Sequence, residues 1–479
     1  MIDKVNSRIV LYHSNDIHSR LENAAKIAGA IAQERRLLGS ERLLAIDCGD
    51  HMDRMRQETE GSDGAVNVAL LNDAGYEAAT IGNNEGLTFA RDILSEAYEN
   101  KLNCPIVCAN MFQLEDGRQP VWMQKQLIIQ KNGLKIGLTA ATANYSEVYT
   151  LLGWSTMDPL AAIKEQVERL RPNVDIVIVI SHLGLPLDKQ MAEELNGIDL
   201  ILGAHTHHLL EEALIINETT ICAAGKFGDY VGRVAIDWDE HAGKPIFHAC
   251  CIPTSALEEK DTAVAIIEQY KAIAKKKLDR VIAELKEPLS ARIDRESELP
   301  NLLAIGLKKW TDAEIGLVNA GQLLGGLAKG TITAGDLHAL CPSPINPCLI
   351  KLKGIDLRTA LEQALQEDFI NKPIKGFGFR GKLLGTLAVA GIRIVYDPER
   401  DANEQIVKIE INGEALQESR YYKVGTIDMF SFRVGYPSIA DAVSFEFYMP
   451  EFIRNVIEKE LESTESLKSC QIRNWLPLI

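Results

Sequence analysis

No stretch of this 479-residue sequence is apolar for long enough to cross a bilayer, which takes roughly 20 residues. Runs such as Val174 to Ile180 read as buried strands instead. No cluster of Lys and Arg stands out either. With 51 basic against 67 acidic side chains and a formal charge of -16, the chain repels nucleic-acid backbones and anionic membranes, and neither is expected as a partner. The nine cysteines (Cys48, Cys104, Cys108, Cys222, Cys250, Cys251, Cys341, Cys348 and Cys470) show no short zinc-ligand spacing. Odd in number and scattered through apolar strings, they are expected to be reduced and mostly buried. Ahead of the first strand-like stretch, Met1-Ile2-Asp3-Lys4-Val5-Asn6 carries no basic leader, apolar core or small-residue cleavage site, so a cytoplasmic location is expected. A Gly-x-Ser-x-Gly elbow and a Walker-type Gly-Lys-Ser/Thr loop are also missing, which disfavours serine-nucleophile and P-loop chemistry.

What is present is ample apolar material, 46% of residues against 25% charged, in a chain long enough for two domains or three. The first part alternates strand candidates with amphipathic helices. The strands are Arg8 to Tyr12, Leu43 to Asp47, Ala78 to Ile81, Pro105 to Ala109, Lys135 to Ala141, Val174 to Ser181, Leu200 to Gly203, Thr220 to Ala223, Arg233 to Trp238 and Pro245 to Pro253; the helices include Asn23 to Arg36 and Asp158 to Leu170. This pattern predicts a layered α/β domain, sheets flanked by helices, over residues 1–255. From Asp261 to Glu287 the composition turns rich in Lys and Glu without glycine, and Pro288 lies just past its end, which predicts a connecting helix within a linker of residues 256–295. A surface helix of the first domain is the alternative. A helix from Pro300 to Trp310, a strand and turn from Ile315 to Gly321, and strands in Leu387 to Tyr396, Val407 to Ile411 and Tyr421 to Thr426 predict a smaller α+β domain over residues 296–479.

The chemistry-bearing residues recur at strand ends. Asp16 and His18 follow Ile9-Val10-Leu11-Tyr12; two apart in extended backbone, they point to one side and could grip one ion, although a hydrogen-bonded loop pair would look the same. Asp50 ends Ala45-Ile46-Asp47-Cys48-Gly49-Asp50, and Asn83 sits in Ile81-Gly82-Asn83-Asn84-Glu85; each alone reads equally as a turn residue. His182 closes a buried strand, and Gly203-Ala204-His205-Thr206-His207-His208 places two histidines at i, i+2 after another. Open α/β sheets gather their ligand sites at the carboxyl ends of strands, so folding would bring Asp16, His18, Asp50, Asn83, His182, His205 and His207 together. Carboxylate, amide and imidazole donors suit Mn, Fe, Zn or Co. Two such divalent ions about 3.5–4 Å apart clamp the oxygens of a phosphate during in-line displacement.

The strings Ser14-Asn15-Asp16-Ile17-His18, Gly49-Asp50, Gly82-Asn83-Asn84-Glu85, Ser181-His182 and Gly203-Ala204-His205-Thr206-His207 resemble those of the calcineurin-like metallophosphoesterases. More narrowly, the chain resembles the 5'-nucleotidase / UDP-sugar hydrolase / 2',3'-cyclic phosphodiesterase family. That likeness extends into the second domain through Glu298-Leu299-Pro300-Asn301-Leu302 and Leu317-Val318-Asn319-Ala320-Gly321. The resemblance implies that Asp16, His18 and His207 hold one ion, that Asn83, His182 and His205 hold the other, and that Asp50 bridges them. It implies a small-molecule phosphate ester as substrate, a nucleotide or nucleotide sugar first. It also implies a base stacked between two aromatic rings of the second domain, for which Phe432 and Tyr436 lie in one expected region and Phe379 or Phe377 in the other.

The chain departs from the family at two places. Asn84 stands where members carry a histidine that contacts the reacting phosphate; it can orient a phosphoryl oxygen but cannot titrate, and general acid assistance is worth ~10²–10⁴ in rate. His51 and His208 are the candidate replacements. Leu324 stands where members reach an arginine that holds the substrate anion, leaving Arg380, Lys382 or Arg433 as nearby cations. These departures motivate an alternative: a degenerate member that keeps the metals and works as a ligand sensor or binding protein.

Overall fold

The computed structural model describes residues 9–376 and 378–478. Met1 to Asn6, on which the leader reading rests, and Phe377 lie outside them. The apolar runs are continuous because both faces of their strands are covered. In Ile9–Ser14, Ile9 and Leu11 enter one apolar layer while Val10 and Tyr12 enter another; in Ile176–His182, Ile176, Ile178 and Ile180 share the layer of Ile9, whereas Val177 and Val179 face a third. The shared layer lies between two sheets. One has seven strands in the order Lys244–Pro253, Tyr230–Asp239, Ile9–Ser14, Leu43–Asp47, Ala78–Ala79, Ile106–Val107, Met123–Gln124. The other has six, in the order Leu214–Ile216, Thr219–Cys222, Leu200–Gly203, Ile176–His182, Leu134–Thr142, Gln126–Lys131. Helices Leu21–Leu38 and Ala65–Ala74 cover the first sheet, and Pro159–Leu170 and Leu185–Glu194 the second, giving the expected layered α/β architecture. Asp158 caps Pro159–Leu170 by accepting from the Ala161 N–H at 2.8 Å, with proline in the first turn where it costs no hydrogen bond.

The chain divides into two compact units, residues 1–274 and 275–479. The helix expected to continue to Glu287 spans Asp261–Leu278. The helix as far as Ala274 belongs to the first unit: Ala263 and Ile267 enter the core of helix Leu21–Leu38, and a Cβ on Gly61 would meet Ala274 at 2.5 Å. Beyond Leu278, the β-branched pair Val281-Ile282 leads a strand, Val281–Leu285, that pairs antiparallel with Gly330–Thr333. Local composition could not reveal that partner.

In the second unit, helix Glu298–Trp310 buries Leu299, Leu302, Leu303 and Leu307 in one core with a five-stranded sheet ordered Leu387–Ala390, Ile315–Asn319, Tyr421–Ile427, Pro347–Lys353, Phe445–Phe447. The single strand expected from Leu387 to Tyr396 is two. Gly391, at φ 75°, turns the chain so that Ile392–Tyr396 joins a separate four-stranded sheet. Among the described residues no helix is long and apolar enough to cross a membrane.

Candidate metal centre

The centre forms where parallel strands end. Ile9–Ser14, Leu43–Asp47 and Ala78–Ala79 run parallel in one sheet, and Ile176–His182 and Leu200–Gly203 in the other. Their turns are laced together by backbone: Asp16 N–H donates to Gly49 O at 3.0 Å, His18 N–H to Asp50 O at 2.9 Å, Ser19 N–H to His51 O at 2.9 Å and Phe227 N–H to Asp16 O at 2.7 Å. Asp16, His18, Ser19, Asp50, His205 and His207 all sit at positive φ, between 46° and 71°. That left-handed region costs a non-glycine residue about 1–2 kcal/mol, and such strain gathers where side-chain placement matters more than local comfort.

The donor atoms converge. Asp16, His18 and His207 bring one ligand atom each within 4.8 Å of one another, and so do Asp16, Asp50 and His182. His18 Nε2 lies 3.1 Å from His207 Nε2, and 3.9 Å from both Asp16 Oδ1 and Asp50 Oδ2. His207 Nε2 is 3.5 Å from Asp16 Oδ1, and His182 Nε2 is 3.4 Å from Asp50 Oδ1. Asn83 Oδ1 sits 3.3 Å from His182 Nε2 and 2.8 Å from His205 Nδ1. Asp50 thus turns one oxygen to the His18 side and the other to the His182 side. The seven residues that the sequence placed at strand ends meet in one cluster.

The electrostatics follow this pairing. Burial pushes the Asp50 carboxyl up, but the His182 and His18 rings beside it override burial and hold it well below the usual range. Burial pulls His182 down, yet Asp50 and then Asp16 raise it to about 10. His205, lowered by burial and by the His182 charge, falls to about 4. Two carboxylates facing neutral-capable imidazoles, an amide oxygen and no thiolate are a donor set that fits divalent transition metals. The Cys48 carbonyl, 2.8 Å from His182 Nδ1, would fix the proton there and leave Nε2 for an ion.

The supporting residues were not singled out by sequence reasoning. Glu85 accepts from the N–H groups of Asp50 at 3.0 Å, Gly82 at 2.9 Å and Met52 at 2.7 Å, clamping two ligand-bearing turns with one carboxyl; burial and then the Asp50 charge push it up to about 8. A glutamate three residues after a helix N-cap was the available signal. Asn15 Nδ2 donates to Asp16 Oδ2 at 2.8 Å and to Gly225 O at 2.7 Å, Tyr145 Oη lies 3.3 Å from His205 Nε2, and Ser181 donates to buried Asp188.

Asn84 contacts the cluster through both its backbone and its side chain. Its N–H donates to Asp50 Oδ1 at 2.8 Å, while its side-chain amide lies 2.8 Å from His18 Nδ1 and 3.3 Å from Met52 O. The side chain therefore orients the ring of His18, a candidate ligand. Asn84→Ala is expected to weaken Mn²⁺ affinity by ~10–100-fold, the usual consequence of removing a ligand's hydrogen-bond partner. Calorimetric titration with Mn²⁺ checks this, and an unchanged affinity would refute it. The proposed replacement acids are engaged elsewhere: His51 is buried with Nδ1 3.2 Å from Asn67 Nδ2, and exposed His208 has Nδ1 2.8 Å from Thr206 Oγ1.

In the second unit two expected stacking rings are core residues. Tyr436 is fully buried, stacks on Phe369 with centroids 5.8 Å apart and donates its hydroxyl to Gly385 O at 2.8 Å; Phe379 is buried in the same core. Neither offers a free face to a base, because a ring that fills a core cannot also stack on a ligand. Phe432 is exposed. Of the cations, Arg433 pairs with Asp441 at 2.7 Å, Arg380 donates to Phe379 O at 3.4 Å and Lys382 is exposed; Leu324 is exposed.

Residues 9–209 match the calcineurin-like phosphoesterase family, and residues 281–436 the 5'-nucleotidase C-terminal domain. Over 459 residues the chain is 37% identical to the uncharacterized metallophosphoesterase YunD of Bacillus subtilis, covering 95% of this chain and 99% of that protein. Bovine 5'-nucleotidase is 23% identical over 484 residues, 87% of this chain and 81% of the bovine protein. The solved structure of the NAD nucleotidase of Haemophilus influenzae shares the fold over 98% of this chain and 97% of its own, with a TM-score of 0.66 at 15% identity. The chain belongs to the calcineurin-like metallophosphoesterases that carry a 5'-nucleotidase C-terminal domain.

Proposed function

We propose that the protein is a dinuclear-metal hydrolase of a small phosphate ester or pyrophosphate, with nucleotides and nucleotide sugars as its first candidate substrates. The observation that carries this reading is Asp50, whose two oxygens face the two donor groups. Asp16, His18 and His207 would hold one ion, Asn83, His182 and His205 the other, and Asp50 both. Divalent cations held there supply charge that offsets the phosphoryl oxygens and lowers the pKa of water. The chain's own residues position that charge: Glu85 fixes the Asp50 and Gly82 turns, Asn84 and Cys48 O orient two rings, and the left-handed turns keep the ligands on one side. Asn84 cannot give a proton to a leaving group, so a group that departs as a weak base suits this site better than an alkoxide.

Phosphate release from a panel of nucleoside mono- and diphosphates, 2',3'-cyclic nucleotides and UDP-sugars is expected to require added Mn²⁺ and to stop with chelator. Release that persists in chelator would overturn the metal mechanism. Asn84 and Leu324 favour one other reading, a member that binds its ligand without turnover. Silence across the panel, with metal and nucleotide bound, would select it. A cytoplasmic setting is part of the proposal; nine free cysteines are what a reducing compartment maintains.

A further inference from the structure

One edge of the metal centre runs against the charge of the whole chain, which is -16. Arg20 and Lys226 stand over a single ring, that of Phe227, with Arg20 Cζ 4.8 Å and Lys226 Nζ 4.7 Å from its centroid. The ring packs edge-on against the candidate ligand His18, centroids 5.8 Å apart. Both cations are exposed, and among the described residues neither has a carboxylate oxygen within 4.0 Å. Glu22 feels the Arg20 charge, but its carboxylate is paired with Arg56 at 2.6 Å.

The platform under these cations is held rigidly. Phe227 sits at φ 61°, a costly conformation for an aromatic residue, pinned by its N–H to Asp16 O at 2.7 Å and by Asn23 Nδ2 donating to its carbonyl at 3.0 Å. The following Gly228 is closely packed, since a Cβ there would meet Ile17 Cδ1 at 2.9 Å and Asn23 Cβ at 3.2 Å. Arg20 immediately precedes helix Leu21–Leu38, so its charge adds to the positive end of the helix dipole. The left-handed Phe227 holds its ring edge against the candidate ligand His18 with the two cations beside it.

We propose that Arg20 and Lys226 form an anion subsite for a second phosphate, which makes a phosphoanhydride with a terminal phosphate, as in a nucleoside diphosphate or inorganic pyrophosphate, the preferred substrate class. The inference rests on the phosphoesterase reading and narrows it. Water adds its oxygen to the terminal phosphorus and the bond to the bridging oxygen breaks. That oxygen leaves with the electron pair on the second phosphate, the released group departs as hydrogen phosphate and one proton goes to solvent. The leaving phosphate needs no proton donor, which fits Asn84, and its new negative charge is the one the two cations meet.

The test is the ratio of kcat/KM for ADP over AMP in wild-type protein, Arg20→Gln, Lys226→Gln and the double variant, with affinity for the non-hydrolysable methylenediphosphonate measured by calorimetry in the Mn²⁺-loaded protein. The ratio is expected to fall about tenfold or more in the double variant, carried by KM, with a matching loss of diphosphonate affinity, the scale of charge-assisted hydrogen bonds. Arg20→Lys with Lys226→Arg, which keeps both charges, should restore most of it. An unchanged ratio and affinity would overturn the subsite while leaving the phosphoesterase reading intact. A wild-type protein inert toward every ester, whose diphosphonate affinity still depends on Arg20 and Lys226, would sink the phosphoesterase reading and uphold the subsite.

Discussion

Asp50→Asn is expected to lower metal-dependent phosphate release by at least ~10²–10³-fold without unfolding the protein. The asparagine keeps the shape, and its oxygen can still accept the Asn84 N–H that Asp50 Oδ1 accepts at 2.8 Å, so the turn survives. The charge between the two donor groups is lost. Asp50 lies 3.4 Å from His182 Nε2 through one oxygen and 3.9 Å from His18 Nε2 through the other. Wild-type rates in the variant would refute the bridging assignment. A second readout uses chelated protein. Asp50 raises buried His182 to about 10, so the folded state binds an extra proton between the unfolded histidine value near 6.5 and about 10. The stabilisation from this pair is fully present below about 6.5, down to the region where the carboxylate itself protonates, and is lost as pH rises through 10. Urea midpoints of wild type and variant should therefore differ most near pH 5–6 and converge toward pH 10.

The layered fold and the donor cluster were legible in the sequence for one reason: strands buried on both faces read as unbroken apolar runs, and each ended in a short turn bearing an Asp, Asn or His. That rule located Asp16, Asp50, Asn83, His182, His205 and His207 without any distance. Features that depend on partners remote in sequence were not legible. Glu85 looks like one more surface acid until its carboxyl is seen accepting three N–H groups. The Arg20, Phe227 and Lys226 group depends on a left-handed phenylalanine that no periodicity announces. Tyr436 was read from its neighbourhood alone, and it is the Phe369 stack and the Gly385 carbonyl that place it in the core. The run Leu387 to Tyr396 hid a break because Gly391 sits between two strand-forming pieces that serve different sheets.

Gly82→Ala tests how closely the ligand turns must approach. Gly82 has φ -93° and ψ -178°, extended backbone open to any residue, so the glycine is not required for conformational freedom. Space is the constraint: a Cβ at this position would lie 2.1 Å from Asp50 Oδ1, 2.4 Å from Asp50 N and 2.8 Å from Asp50 Cγ. Asp50 cannot retreat easily, because a Cβ on the preceding Gly49 would itself stand 2.7 Å from Gly82 N and 2.9 Å from His182 Nδ1, so the three turns already touch. One methyl group must therefore displace either the Asp50 carboxylate or the helix start that carries Asn83 and Asn84, and it strains the Glu85 clamp that holds both turns. Overpacking of this kind costs about 1–3 kcal/mol of stability. The larger effect falls on the reaction, since a displacement of about 1 Å at a reacting centre costs roughly 10²-fold. The expected result is a folded protein with a lowered melting temperature, weakened Mn²⁺ binding and kcat/KM reduced about 10²-fold. Undiminished kcat/KM in Gly82→Ala would mean that Asp50 does not need its position between the histidines, and the shared-carboxylate centre would fall with it.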